Sequence, residues 1–327
     1  MATYKVTKGT PVAFRDSAYP TTSPSPHEGE LFYNGSSGAF QFLGLAAGAW
    51  SSGGNLNVGK GYTAMEGDST AAICIAGYSP GGNLATTESY NGSSWTEVND
   101  LNVARAAIAS AGTYAAAIAM GGNPPASGYS VLNEQWNGTN WTEVGDLNVA
   151  RYAAGGAGTS TAALFITGRN PIANTAVESW NGSSWTEIAD INTGRYAIGA
   201  TGTQTAAIAM GGTAIPPQAT GLVNNELWNG NSWTEVGDLN TARYAVGSSS
   251  SSSTDALVFG GYVTSPSSVT EAWNGTSWTE VNDLATARNF AAGAGTASDS
   301  IVAGNSADTN ATEEWSFAHA VKTIDVS

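Results

Sequence analysis

Cysteine is almost absent. Cys74 is the only one in 327 residues, so no internal disulfide can staple the chain. Set in AAICIAG, it reads as a small buried hydrophobe rather than a nucleophile. Histidine is nearly as scarce, with His27 and His319 alone. Neither falls within the repeated part of the chain, which argues against a metal centre or a Ser/His/Asp arrangement there. No cofactor, metal or catalytic residue is expected. Basic residues number 11 against 26 acidic ones, for a net charge of −15. That balance argues against nucleic acid and anionic membranes as partners, since both need clustered Lys and Arg. No apolar run reaches the ~18 residues of a membrane span. The opening MATYKVTKGTPVAF lacks an apolar signal core, so no conventional secretory route is expected. Helical periodicity is missing throughout.

What the chain does contain is repetition. NGSSWTEVNDLNVAR begins at Asn91, and close copies begin at Asn137, Asn181, Asn229 and Asn274. Trp50, Trp95, Trp141, Trp185, Trp233 and Trp278 are spaced 45, 46, 44, 48 and 45 residues apart. A fixed period of this size signals a radial or stacked repeat architecture. Within one unit, RYAIGATGT from Arg195 reads as a first strand. AAIAMGG from Ala206 is an apolar run suited to a strand buried on both faces. ELW from Glu226 and SWTEV from Ser232 alternate polar and apolar around Asn229-Gly230, a hairpin signal because both residues tolerate positive φ. Four short antiparallel strands in about 45 residues make one blade of a β-propeller.

First strands open at Lys60, Arg105, Arg151, Arg195, Arg243 and Arg288, and third strands carry Glu88, Glu134, Glu178, Glu226, Glu271 and Glu313. Both series count six blades. Trp50 precedes any first strand, and the last unit ends near Trp315 without a fourth. Residues near 47–53 are therefore expected to complete the sixth blade, closing the ring and removing its free edges. The fold class is all-β, a six-bladed propeller over 44–316, with an attachment segment at 1–43 and a tail at 317–327. Small first-strand residues such as those of AAGGAG fit the crowded axis. The repeated cations are expected to pair with Asp100, Asp146, Asp190, Asp238 and Asp283 or with the third-strand glutamates, rather than to form an anion-binding ring. Asn-X-Ser/Thr sequences at Asn91, Asn137, Asn181 and Asn274 fall at hairpin turns, which accounts for them.

The paired glycines after an apolar strand, followed by a Tyr or Trp and a second Trp, resemble kelch repeats. The variants AGTxTAA and NGSSWTE look like the kelch-like repeats of bacteriophage structural proteins, especially from marine viruses. Ala76-Gly77, Thr167-Gly168 and Gly304-Asn305 depart from Gly-Gly, as divergent kelch units would. After the linker PTTSPSPHEGE, GELFYN opens an Asn-Gly hairpin that resembles the lead-in of phage fibre proteins. The resemblance implies a non-enzymatic virion protein, a tail fibre or capsid decoration, held to other virion proteins through 1–43. Lys5, Lys8 and Arg15 in that segment suit an acidic partner. The alternatives are a cellular kelch-like scaffold that binds protein and, less favoured, a carbohydrate-acting enzyme. A homo-oligomer is compatible with each.

In an antiparallel blade, the loops between second and third strands share one face with the DLNVAR connectors. These loops differ between copies while the scaffold stays constant, which marks that face for recognition of a host-surface glycan or protein. Tyr78, Asn123, Tyr129, Arg169, Gln218 and Tyr262 are the candidate contacts. Both termini are expected at the opposite face.

Overall fold

The computed structural model describes residues 4–5, 11–15, 31–34, 39–125, 128–214, 220–249, 251–307 and 309–323. The chain forms two compact units, Trp50–Trp315 and Met1–Ala49 together with Ser316–Ser327. In the second of these, Tyr4–Lys5 pairs antiparallel with Pro11–Arg15, which runs parallel to Leu31–Asn34. Leu31–Asn34 pairs antiparallel with the strand beginning at Ala39, the expected hairpin, and Tyr33 meets Phe40 edge-on at 5.2 Å.

Trp50–Trp315 is a six-bladed β-propeller of four-stranded antiparallel blades. The fourth blade shows the pattern: Gly199–Thr203, Ala206–Met210, Asn225–Trp228 and Trp233–Val236, each paired with the next. The first blade spans 64–98, the second 109–144, the third 155–188, the fifth 247–281 and the sixth 292–315. The second strand is buried on both faces, which explains its unbroken apolar run. Inner strands need small residues because neighbouring blades converge on them: a Cβ on Gly155 would come within 2.5 Å of the Ala200 methyl.

Trp50–Ser52 supplies the sixth blade's outer strand beside the segment that begins at Thr312. Gly53 N donates to Thr312 O at 3.0 Å, and Leu56 N donates to Asn310 O at 2.8 Å. Each blade holds an aromatic pair from its third and outer strands. Five of these are Tyr90–Trp95, Trp136–Trp141, Trp180–Trp185, Trp228–Trp233 and Trp273–Trp278, with centroids 4.8 to 5.4 Å apart. Trp315–Trp50 completes the set at 5.5 Å. Each pair adds about 0.5–1.5 kcal/mol beyond its burial. Outer tryptophans also tie neighbouring blades together: the indole N–H groups of Trp141, Trp95 and Trp50 donate to the hydroxyls of Thr87, Thr312 and Thr270, each at 3.1 Å.

Two local readings of the sequence are corrected. The Asn-Gly connections are four-residue loops, since Tyr90 pairs directly with Trp95. Only the glycine takes a left-handed conformation (Gly92, φ 87), while the Asn91 carboxamide oxygen accepts from Ser93 N and Ser94 N. The same Asx arrangement recurs at Asn137, Asn181, Asn229 and Asn274. The inner strand of the fourth blade also starts at Gly199 rather than Arg195. It cannot start earlier because Ala197 is left-handed (φ 53), which interrupts the pleat. Ala107, Ala153, Ala245, Tyr62 and Phe290 occupy the same place with φ between 50 and 54.

Candidate binding face

The repeated cations are structural clips. Arg105, Arg151, Arg195 and Arg243 have no accessible surface, and each of the six cations pairs with the third-strand glutamate of its own blade. The separation is 2.9 Å for Arg105–Glu134 and 2.6 Å for Arg151–Glu178. Arg105 Nη1 also donates to Gly121 O at 2.7 Å and Leu132 O at 2.6 Å, fastening the end of the second strand to the approach to the third. The other Glu134 oxygen accepts from Asn102 N and Asn102 Nδ2, so the incoming connector joins the same clip. Burial lowers the pKa of each arginine, and the paired glutamate opposes the shift. Of the two expected kinds of carboxylate partner, the pairing falls to the third-strand glutamates. Asp100 and Asp283 instead accept from the backbone N–H groups of Thr87 and Thr270 in the third strands.

Immediately after each clip the chain turns through its left-handed residue, and these residues join across blades. Ala107 N donates to Tyr62 O, Ala153 N to Ala107 O, Ala197 N to Ala153 O and Ala245 N to Ala197 O, at 2.7 to 2.8 Å. Phe290 N donates to Ala245 O and Tyr62 N to Phe290 O, both at 2.9 Å, which closes a circle of six hydrogen bonds. A second set reinforces it, in which Gly122 N donates to Arg151 O at 2.9 Å and Gly212 N to Arg243 O at 3.0 Å.

The turn decides where the neighbouring aromatics go. Tyr152, Tyr196 and Tyr244 emerge half-buried beside the circle, and Tyr62 and Phe290 emerge half-buried as members of it, on the face of the variable loops. Tyr62 stacks on Phe290 at 4.0 Å, Tyr244 meets Phe290 at 6.5 Å, and Tyr262 lies 5.4 Å from Tyr244. With Tyr78 edge-on to Tyr62 at 6.3 Å, they form one arc over the first, sixth and fifth blades. Burial raises the Tyr244 phenol, with smaller contributions from Tyr262, Tyr196 and Tyr62.

A second arc runs over the second, third and fourth blades. Tyr129 lies 5.7 Å from Tyr152, and the Arg169 guanidinium sits 5.5 Å over the Tyr196 ring. Arg169 Nη1 donates to the Tyr152 hydroxyl at 3.2 Å, and Nε donates to Pro171 O at 3.0 Å. Of the sequence candidates, Tyr78, Tyr129, Arg169 and Tyr262 thus lie on the two arcs. Asn123 is held by backbone pairing with Ala106 and accepts from Asn83 Nδ2 at 2.6 Å. Gln218 lies outside the described residues. The five aromatics next to the clips escaped sequence reading because they were assigned to inner strands. The recurring Arg-Tyr-Ala of 151–153, 195–197 and 243–245 is the signal that could have found three of them, Tyr152, Tyr196 and Tyr244.

At the other end of the axis the channel widens to a cavity of about 480 Å³ lined chiefly by Gly, Ala, Ser and Thr. Glu66 faces it where other blades place Ala111, Ala157, Thr201 and Ala294, and accepts a 2.6 Å hydrogen bond from Ser110 Oγ. Burial pushes its carboxyl up to about 7, against the lowering effect of that hydrogen bond.

No model of a known protein family matches the sequence, and no curated protein matches it.

Proposed function

We propose that the chain is a non-enzymatic binding protein that meets its target with the variable-loop face of the propeller. The observation that carries this is the pair of aromatic arcs around the axis, on the face whose loops differ between otherwise uniform blades. Half-buried tyrosines offer contact area at low conformational cost, with a hydroxyl left for polar partners. The blades meanwhile commit six cations and six glutamates to clips, so their recurring charges hold the fold together.

Within that class, the reading we favour is a bacteriophage virion structural protein, a tail fibre or capsid decoration built from divergent kelch-like units. Residues 1–43 would dock on other virion proteins, and the loop face would serve as a receptor-binding surface for a host glycan or protein. The recurring glycine doublets and the Trp pairs support the kelch-like assignment. Electron microscopy of native particles, labelled with an antibody to the propeller, tests this directly: label at the particle surface is expected, and particles without label would overturn the virion reading. Replacing residues 124–129, which lie between the Asn123 bridge and the paired Ser130, by a short Gly/Ser turn tests the face itself. Target binding should fall while thermal stability is kept, and a large stability loss would identify that loop as packed scaffold.

A further inference from the structure

Of the eleven Lys and Arg residues, seven lie in the propeller unit. Six of those are sealed in clips, leaving Arg169, which makes no ion pair among the described residues. It is also fixed in place. Its guanidinium carbon lies over the Tyr196 ring, and two of its nitrogens are committed to Tyr152 and Pro171. Nη2 makes no hydrogen bond among the described residues. A guanidinium set over one ring and hydrogen-bonded through Nε and Nη1 has lost much of its freedom before any ligand arrives, and Nη2 with the second hydrogen of Nη1 still offers a fork to a carboxylate.

We infer that the second arc binds a carboxylate-bearing sugar of an anionic glycan, a site that deepens the loop-face reading and rests on it. The carboxylate would take the outward edge of Arg169, and the apolar face of the sugar ring would lie against Tyr152 and Tyr129. The tyrosine hydroxyls supply partners for sugar hydroxyls. A peptide fits less well, because the mouth of the axis beside the aromatic turns is a hollow of only about 80 Å³, too small for a side-chain anchor. The surrounding charge sets a second constraint. On a chain of net charge −15, one cation can hold one carboxylate, but a densely charged polyanion meets repulsion from everything else. The ligand is accordingly a glycan with isolated acidic sugars, not a sulfated chain.

Saturation-transfer NMR on the full chain, with 3′-sialyllactose, a glucuronate-terminated disaccharide, lactose, acetate and heparin as probes, tests the inference. At least one carboxylated sugar should receive saturation, and lactose, acetate and heparin should not compete comparably. Arg169→Ala and Tyr152→Ala should each weaken binding by tenfold or more, with Arg169→Lys in between and melting temperatures unchanged for the two Arg169 variants. Undiminished binding by Arg169→Ala, equal binding of lactose, displacement by acetate at matched concentration, or preference for heparin would each overturn it. A neutral glycan bound through the face, and lost on exchange of residues 124–129, would overturn the acidic-sugar site while leaving the loop-face reading intact.

Discussion

A buried guanidinium such as that of Arg151 needs its carboxylate, because removing one partner strands the other's charge in the interior. Arg151 binds Glu178, Thr167 O and Ala176 O, so Arg151→Ala should cost about 3–5 kcal/mol in urea denaturation. Arg151→Met combined with Glu178→Leu should cost distinctly less, since no uncompensated charge remains; an equal loss would show that the backbone contacts dominate. Glu66 presents the opposite case, a carboxylate drawn into a channel without a cation. Its carboxyl prefers the protonated form in the folded protein, with a pKa of about 7 against 4.5. The stability it lends is complete below pH 4.5 and is lost as pH rises through 7. Glu66→Gln should therefore leave stability unchanged at pH 4 and raise it by about 1–3 kcal/mol at pH 8. A gain of the same size at both pH values would refute the proton linkage.

At the scale of the strand and turn, the glycine doublet shows what each position demands. Its first residue is left-handed in every blade, at φ 57 for Gly121 and 56 for Gly211, and also at 55 for Ala76 and 58 for Thr167. A β-branched residue is strained there, and the buried Thr167 hydroxyl has no hydrogen-bond partner among the described residues. Thr167→Gly should thus stabilise the protein by ~1 kcal/mol, read from the denaturation midpoint. The second position is stricter. Gly122 has φ 104, and a Cβ would approach Ile108 Cγ2 to 2.5 Å, so Gly122→Ala should cost at least ~2 kcal/mol. Second, third and outer strands were legible in the sequence because apolar runs, alternation and Asn-Gly punctuate them. The start of the inner strand was not, because alanine, the residue that turns the chain at Ala107, Ala153, Ala197 and Ala245, carries no turn signature. That one ambiguity also hid Tyr152, Tyr196 and Tyr244 from the candidate face.

Across the whole molecule, blade number and ring closure were readable because Trp50 stood at the repeat spacing without a blade of its own. Its indole meets Trp315, reaches Thr270 on the fifth blade and lies 4.9 Å from Phe259. Trp50 is half-buried, so Trp50→Ala should cost somewhat less than the about 3–5 kcal/mol of a core tryptophan. A loss below ~1 kcal/mol would show that the sixth blade stands without it. The pairing of aromatics across blades could not be read in advance, since it depends on the curvature of the closed ring and not on spacing within a repeat.

The circle of hydrogen bonds through Tyr62, Ala107, Ala153, Ala197, Ala245 and Phe290 has an electrical consequence. A peptide group carries a dipole of roughly 3.5 D, and a helix adds such dipoles along one line to leave charge at its ends. Here they follow one another around the axis, so each is opposed by its counterpart across the ring and the circulating parts cancel. The circulating part of the backbone dipoles therefore lends the mouth no net preference for either sign, and side chains weigh more in what a charged visitor to that face meets. A single exchange at position 169 would then suffice to reverse the local preference for charge without disturbing the frame that presents it.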